Sequence, residues 1–358
     1  MQLLSPMTGP TGASAPLPIG ALVASAAALN GYLACDGSTK LRSDYPLLSP
    51  LMPDALIATQ RTLPGASWYG IAWNGSVFCA VASGGSQIAG TSPDGITWTQ
   101  RTLPVSANWR SIAWNGSVFC ALATGSTIAA TSPDGITWTQ RTLPYYGNWY
   151  TISWNGSVFC AIASGTNVAI TPPDGITWTQ RTLPLSITCY ALAWNGSVFC
   201  AIASTSYWVV TSPDGITWTQ RTLPVSASWY GIAWNGSVFC AVASGTAVAI
   251  TSPDGITWTQ RTLPVSSQWV AISWNGSVFC AIASTSYWVA TSPDGITWTQ
   301  RSSQISLTLN YIAWNGSVFC ALGYGSSNGM TLSFDNTKFD LPNISPIYGY
   351  IPTLIKAS

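Results

Sequence analysis

From about residue 55 onward the apolar residues come in short runs, each bounded by Asn, Gly, Ser, Pro or Asp. Nothing in these runs repeats at the helical period, and they are rich in Trp, Val, Ile and Thr, which favours strands. The octet Trp-Asn-Gly-Ser-Val-Phe-Cys-Ala occurs seven times, starting at Trp73, Trp114, Trp154, Trp194, Trp234, Trp274 and Trp314, with a spacing of 41 once and 40 thereafter. A unit of that size, with turn signals every ~8–12 residues, fits four short antiparallel strands, the size of a propeller blade.

In the second unit the pattern predicts strand a at 109–114, b at 118–123, c at 127–131 and d at 136–143. Asn115-Gly116 then joins a to b as a two-residue type I′ hairpin, which needs positive φ at both residues. The seven Asn-Gly-Ser triplets are formal glycosylation sequons, better explained as seven turns. Between c and d lies Ser-Pro-Asp-Gly-Ile-Thr-Trp, at Asp94, Asp134, Asp214, Asp254 and Asp294, with Thr-Pro-Pro-Asp-Gly around Asp174. The carboxylate is expected to accept backbone N–H bonds, the glycine to take the left-handed conformation, and Trp98 and its equivalents to pack beneath. This phrase resembles the Asp-box of sialidase-like propellers, with a spacing one residue shorter, and in that family the box is a structural turn.

Thr-Gln-Arg also occurs seven times, at Arg61, Arg101, Arg141, Arg181, Arg221, Arg261 and Arg301 with Ser following the last. Its first copy precedes the first octet, so residues 56–64 align with strand d, while the last unit loses its Asp-Gly turn near 331–334. The expected fold class is therefore all-β: a seven-bladed β-propeller with four-stranded blades, closed by an N-terminal strand d that leaves no open sheet edge.

The flanks differ in character. Pro18-Ile19-Gly20, then Gly31-Tyr32-Leu33-Ala34-Cys35-Asp36-Gly37-Ser38, then Asp44-Tyr45-Pro46 resemble the start of the phage tail-collar domain. Thr337-Lys338-Phe339-Asp340-Leu341-Pro342-Asn343 is similar to that domain's later element, although Ile344-Ser345-Pro346 stands where Arg-Gly-Arg-Phe often follows. The resemblance implies a small tail-collar-like domain in two halves, at 17–54 and 334–358, around a propeller at 55–333, with 1–16 as a flexible or attachment segment. It also implies tail or baseplate partners, a homotrimer, and a place on the virion after synthesis in the host cytoplasm. Chain entry at a d strand and exit at a c strand would put the mount at the c–d end and leave the b–c and d–a end outward.

Composition narrows the chemistry. The chain has 358 residues, 47% hydrophobic and 6% charged, with a net charge of +1. No electrostatic footprint exists for nucleic acid or an anionic membrane. The acids are all Asp, and Glu and His are absent, which removes Ser-His-Asp triads, histidine metal sites and Glu-based acid/base pairs. No catalytic residue, metal or cofactor is expected, and the chain is expected not to be an enzyme. Seven of nine cysteines recur once per unit and read as small buried apolar side chains. The first twelve residues lack a basic secretory n-region, and the apolar stretch 17–35 is broken by Gly20, Asn30 and Gly31, so neither a leader nor a membrane span is expected.

Because the units are near-copies, their differences stand out. The residue after the conserved Trp position varies as Tyr69, Arg110, Tyr150, Tyr190, Tyr230, Val270 and Asn310. The d–a connections vary through Tyr145 and Tyr146, and the b–c connections through Tyr207, Trp208, Tyr287 and Trp288. The preceding apolar set (Trp68, Trp109, Trp149, Cys189, Trp229, Trp269 and Leu309) either packs around the central channel or contacts ligand, and Trp109 and Trp149 are counted among the candidate contacts. Loops rich in Tyr, Trp, Ser, Gly and Asn on a rigid scaffold suit recognition. The expected function is receptor binding at a phage tail tip, with host cell-surface glycan as ligand. A glycan-cleaving depolymerase, a binder of a host surface protein and a structural spacer are the alternatives.

Overall fold

The computed structural model describes residues 22–24, 32–34, 39–45, 48, 54–65, 67–340 and 353–356. The chain divides into two compact units: residues 58–299 with 303–332, and residues 1–57 with 300–302 and 333–358.

The larger unit is a multi-bladed β-propeller. Its second blade runs Trp109–Trp114, Phe119–Ala123, Ser126–Ser132 and Thr139–Gly147, paired antiparallel in chain order. Strand a falls where the sequence predicts it. Strand d starts three residues later than expected, because the Asp-Gly turn extends through Trp138, and runs on to Gly147 through residues read as loop. Thr219–Trp234 and Thr259–Trp274 each carry a d strand straight into the next a strand. Successive a strands neighbour one another, and Leu309–Trp314 returns to Trp68–Trp73. The pairing is consistent with the expected seven blades.

Closure uses the N-terminal strand. Asp54–Thr62 pairs with Asn328–Asp340. Arg61 Nε donates to Thr331 Oγ1 at 2.9 Å, repeating the bonds of Arg101 to Thr91 and Arg141 to Thr131 within ordinary blades. Chain ends 270 positions apart thus make the contact that elsewhere spans ten.

The a–b turn is not the expected two-residue type I′ hairpin. Trp114 pairs with Phe119, leaving a four-residue connection. Gly116 alone in it has positive φ, and Asn115 Oδ1 accepts from Ser117 N at 2.9 Å and Val118 N at 2.7 Å. Asparagine acts here through its side chain, as an Asx turn, and not through a left-handed backbone. The c–d turn follows its expected chemistry. Asp94 Oδ1 accepts from Ile96 N at 2.8 Å, Thr97 N at 3.0 Å and the Ser92 hydroxyl at 3.1 Å, and Trp98 Nε1 donates to Gly95 O. These donors, the Thr137 N–H foremost, hold Asp134 below the usual carboxylate range against the opposing effect of its partial burial. The Ile176 N–H leads for Asp174, where Pro172 replaces the serine.

Blades pack through the same phrases. Cys79, Val81 and Ala89 of the first blade share a buried cluster with Trp109, Phe119 and Ala121 of the second, and Cys120 with Trp149 and Phe159 of the third. Each turn glycine reaches back onto the preceding blade. A Cβ on Gly135 would lie 3.0 Å from Thr91 Cγ2 and 3.1 Å from Cys79 Sγ. All eight described cysteines are buried thiols outside any disulfide, and burial pushes the thiols of Cys189 and Cys320 up to about 12.

In the smaller unit both flanks meet. Thr353–Lys356 pairs antiparallel with Leu22–Ala24 and with Tyr32–Ala34, and the end of Asn328–Asp340 pairs with Thr39–Leu41. Residues 18–20, 35–38, 46 and 341–346, which carry much of the tail-collar resemblance, lie outside the described residues.

Two expectations follow. Gly116→Ala should cost ~1 kcal/mol for its left-handed φ, and Gly135→Ala ~1–3 kcal/mol more, because its methyl meets the neighbouring blade. Equal denaturation midpoints for the two variants would contradict interlocking at the turn. The Asp turns carry carboxylates of lowered pKa, so their contribution is full above the unfolded value of ~3.9 and is lost as pH falls through the lower folded value. Melting temperature should therefore drop below about pH 4, and Asp134→Asn should drop less steeply. Parallel curves would remove the turn from the account.

Candidate functional site

The varied positions have a backbone cause. In the first blade Trp68 pairs with Ala82 and Gly70 with Val81, so Tyr69 is the extra residue of a β-bulge. The same register shift makes extra residues of Arg110, Tyr150, Tyr190, Tyr230, Val270 and Asn310. A bulged residue is released from the ladder and its side chain re-aimed. A second bulge lies in strand d. Ile128 pairs with Thr142 and Ser126 with Gly147, so residues 143–146, with Tyr145 and Tyr146, stand out of register.

At the channel mouth the bulged side chains touch in sequence. Tyr324 meets Tyr69 edge-on at 5.2 Å between ring centroids. The Arg110 guanidinium carbon lies 4.2 Å from the Tyr69 ring and 4.6 Å from the Tyr150 ring. Tyr150 stacks on Tyr190 at 5.2 Å, and Tyr190 on Tyr230 at 4.7 Å with 4° between planes. Tyr311 closes the floor by donating its hydroxyl to Tyr150 O at 3.2 Å. The stack spans five blades and stops at Val270 and Asn310. Beside that gap is a cavity of about 190 Å³ lined by Arg110, Tyr190, Tyr230, Val270, Asn310 and Tyr311 among others. Burial first, then the hydroxyl of Tyr324, pushes the Tyr69 phenol up to about 12, with Arg110 opposing. Burial likewise raises Tyr190 and Tyr311. These phenols are neutral at physiological pH, and Arg110 is the charged group of the mouth.

The other candidates lie apart from this arc. Tyr207 and Trp208 begin strand Ser206–Ser212 and are exposed. Tyr287 and Trp288 occupy the same place in Ser286–Ser292, with rings 4.6 Å apart. In both blades the preceding turn holds a threonine at φ 55°, Thr205 and Thr285, where other blades have glycine at positive φ. A β-branched residue there is strained. Tyr146 is 68% exposed, while Tyr145 lies edge-on to Trp149.

Trp109 and Trp149, counted among the candidate contacts, are fully buried between blades and donate to Val105 O and Ser126 O. They are core residues and do not line the mouth. Tyr311 and Tyr324 complete the arc without having been singled out. Both were visible as departures within otherwise small columns: Tyr311 against Gly70, Ser111, Thr151, Ala191, Gly231 and Ala271, and Tyr324 against serines and a threonine.

No protein-family model and no curated sequence matches the chain. Solved structures match its fold. Virginiamycin B lyase from Staphylococcus aureus aligns with a TM-score of 0.69 and 11% identity, over 78% of this chain and all of that one. YCF48 bound to D1 peptide aligns at 0.63 and 16%, over 80% and 98%. The Cps50 (Swd1) β-propeller domain from Myceliophteria thermophila aligns at 0.62 and 12%, over 79% and 100%. At such identities the likeness carries the fold alone. The expectation that the chain is not an enzyme is corrected by the first of these. An enzyme shares the architecture, so lack of His and Glu does not by itself place the chain among non-enzymes.

Replacing Thr205 or Thr285 by glycine should raise stability by ~1 kcal/mol each, since a left-handed backbone costs a side chain about that much. Denaturant midpoints unchanged or lowered in both variants would show the turns to be unstrained.

Proposed function

We propose that the chain is a receptor-binding protein of a tailed phage, gripping host cell-surface glycan through the face of the propeller that carries the bulged and varied residues. The observation that carries this reading is the coincidence of sequence variation with β-bulges. Near-identical blades differ at the residue freed from the ladder in strand a, and four of those seven residues are tyrosine. Aromatic faces stack on the apolar faces of sugars, and the Ser, Thr and Asn groups around them match neutral hydroxyls. Strain at Thr205 and Thr285, beside the exposed Tyr207, Trp208 and Tyr287, is of the kind that collects at functional positions. Repetition around the ring favours a repeating polymer, where weak sites add.

The tail-collar-like mount belongs to the same proposal. Its support is the motif order in the flanks and the pairing of both chain ends in the smaller unit. With it go the virion location, tail or baseplate partners and a homotrimer. The Ser-Pro-Asp-Gly turns are read as shortened Asp-boxes with a structural role. A host surface protein is the second reading, favoured by YCF48, a propeller of similar fold solved with a peptide bound.

The test is binding of the purified chain to immobilised cell-surface polysaccharides and to whole host cells, with released sugar measured alongside. Replacing Tyr207 and Trp208 by alanine, or Tyr287 alone, should weaken attachment by up to ~5-fold, a loss of ~1 kcal/mol of stacking, with the variants still folded by their melting curves. Undiminished attachment of both variants would remove these aromatic residues from the site. Attachment abolished by protease treatment of the cells would favour a protein receptor.

A further inference from the structure

We propose that the channel mouth binds the carboxylate of an acidic sugar residue, held by Arg110 and Asn310. This rests on the glycan reading above and names the class of glycan.

Arg110 differs from the other arginines of the ring. Six of the seven Thr-Gln-Arg arginines donate Nε to a threonine, and the seventh, Arg301, donates to Asp54 O. Arg110 instead sits on a bulge, its guanidinium clamped between Tyr69 and Tyr150. Its Nε is enclosed and has no hydrogen-bond partner, and the same is true of Asn310 Nδ2. Both residues line the same cavity. The guanidinium also hydrogen-bonds the Tyr69 and Tyr311 phenols, but Arg110 Nε and Asn310 Nδ2 are donors left over, which an acceptor from outside can take up. Leaving such groups unmade is costly, and a charged acceptor forms the stronger bond.

Charge points the same way. The six turn aspartates stand at the c–d end of the blades, away from the bulged end of strand a. Around Arg110 stand the Tyr150 ring and the Tyr69 and Tyr311 phenols, and burial raises the last two so that they stay neutral. A half-buried cation in a cavity whose lining carries no carboxylate favours an anion. The stacked Tyr190 and Tyr230 border the same cavity and offer an aromatic wall for the ring that carries it. At about 190 Å³ the cavity is smaller than the ~300–1,000 Å³ of drug-sized pockets. It takes one residue of a longer chain.

The experiment is calorimetric titration of the full chain with an oligogalacturonate, its carboxyl-reduced neutral counterpart, and succinate. The expected result is at least tenfold tighter binding of the oligogalacturonate than of the reduced form. Arg110→Gln should erase that difference, Arg110→Lys restore part of it, and Asn310→Val narrow it, with melting curves confirming folded variants. Equal binding of both oligosaccharides by the unaltered chain overturns the carboxylate site and leaves the glycan reading standing. Binding of succinate with no oligosaccharide bound overturns the sugar and the glycan reading together, and keeps the anion site. No binding of any of the three overturns the proposal outright.

Discussion

The structure depends on the contact between the Asp-Gly turn of one blade and the Thr-Cys pair of the blade before it. Gly135 lies so close to Thr91 and Cys79 that a methyl group would collide with both. Thr91 is fixed in turn by the Arg101 bond from its own strand d. One phrase therefore serves the turn, the neighbouring blade and the sheet at once. This explains why the turn, the cysteine, the threonine and the arginine recur almost unaltered around the ring. A change in any of them is felt in two blades, and interiors packed to crystal density transmit such changes. Closure by Arg61 and Thr331 uses the same joint.

What the joint fixes leaves other positions free. The bulge at the second residue of strand a removes one side chain per blade from the ladder, and the long bulge in strand d removes four. Leu143 of the long bulge still packs against the next blade, with Tyr145 beside it, whereas the bulged residues of strand a stand outside the repeated core. The strand-a positions accept tyrosine, arginine, valine or asparagine, and five of them form a continuous cation and tyrosine stack over five blades. Rigidity and diversity are thus assigned to different residues of one repeat, a division that suits a recognition scaffold.

Much of this was legible in the sequence. The 40-residue period gave the unit, strand a of the second blade matches residue for residue, and the displaced first Thr-Gln-Arg located the closing strand. The chemistry of Asp94, Gly95 and Trp98 could be read from their spacing, because an Asx-type turn is set by local residues. Register could not. A bulge depends on what the partner strand does, so Tyr69 or Arg110 reads as an ordinary strand residue until Ala82 and Val81 are seen pairing around it. The Asn-Gly turn misled for a related reason, since asparagine satisfies either a left-handed backbone or a side-chain cap, and Val118 joined the turn instead of the strand. Burial of Trp109 and Trp149 likewise depends on the neighbouring blade, as their clusters show.

The central claim is that recognition resides in the bulged, varied positions and not in the repeated turns. Amide hydrogen exchange across the chain, with and without a polysaccharide extract of host cell surface, tests it most directly. Slowed exchange is expected in residues 105–110, 145–150, 205–208 and 285–288, with the Asn-Gly and Asp-Gly turns unchanged. Slowing confined to the turns, with the bulged segments unaffected, would contradict it.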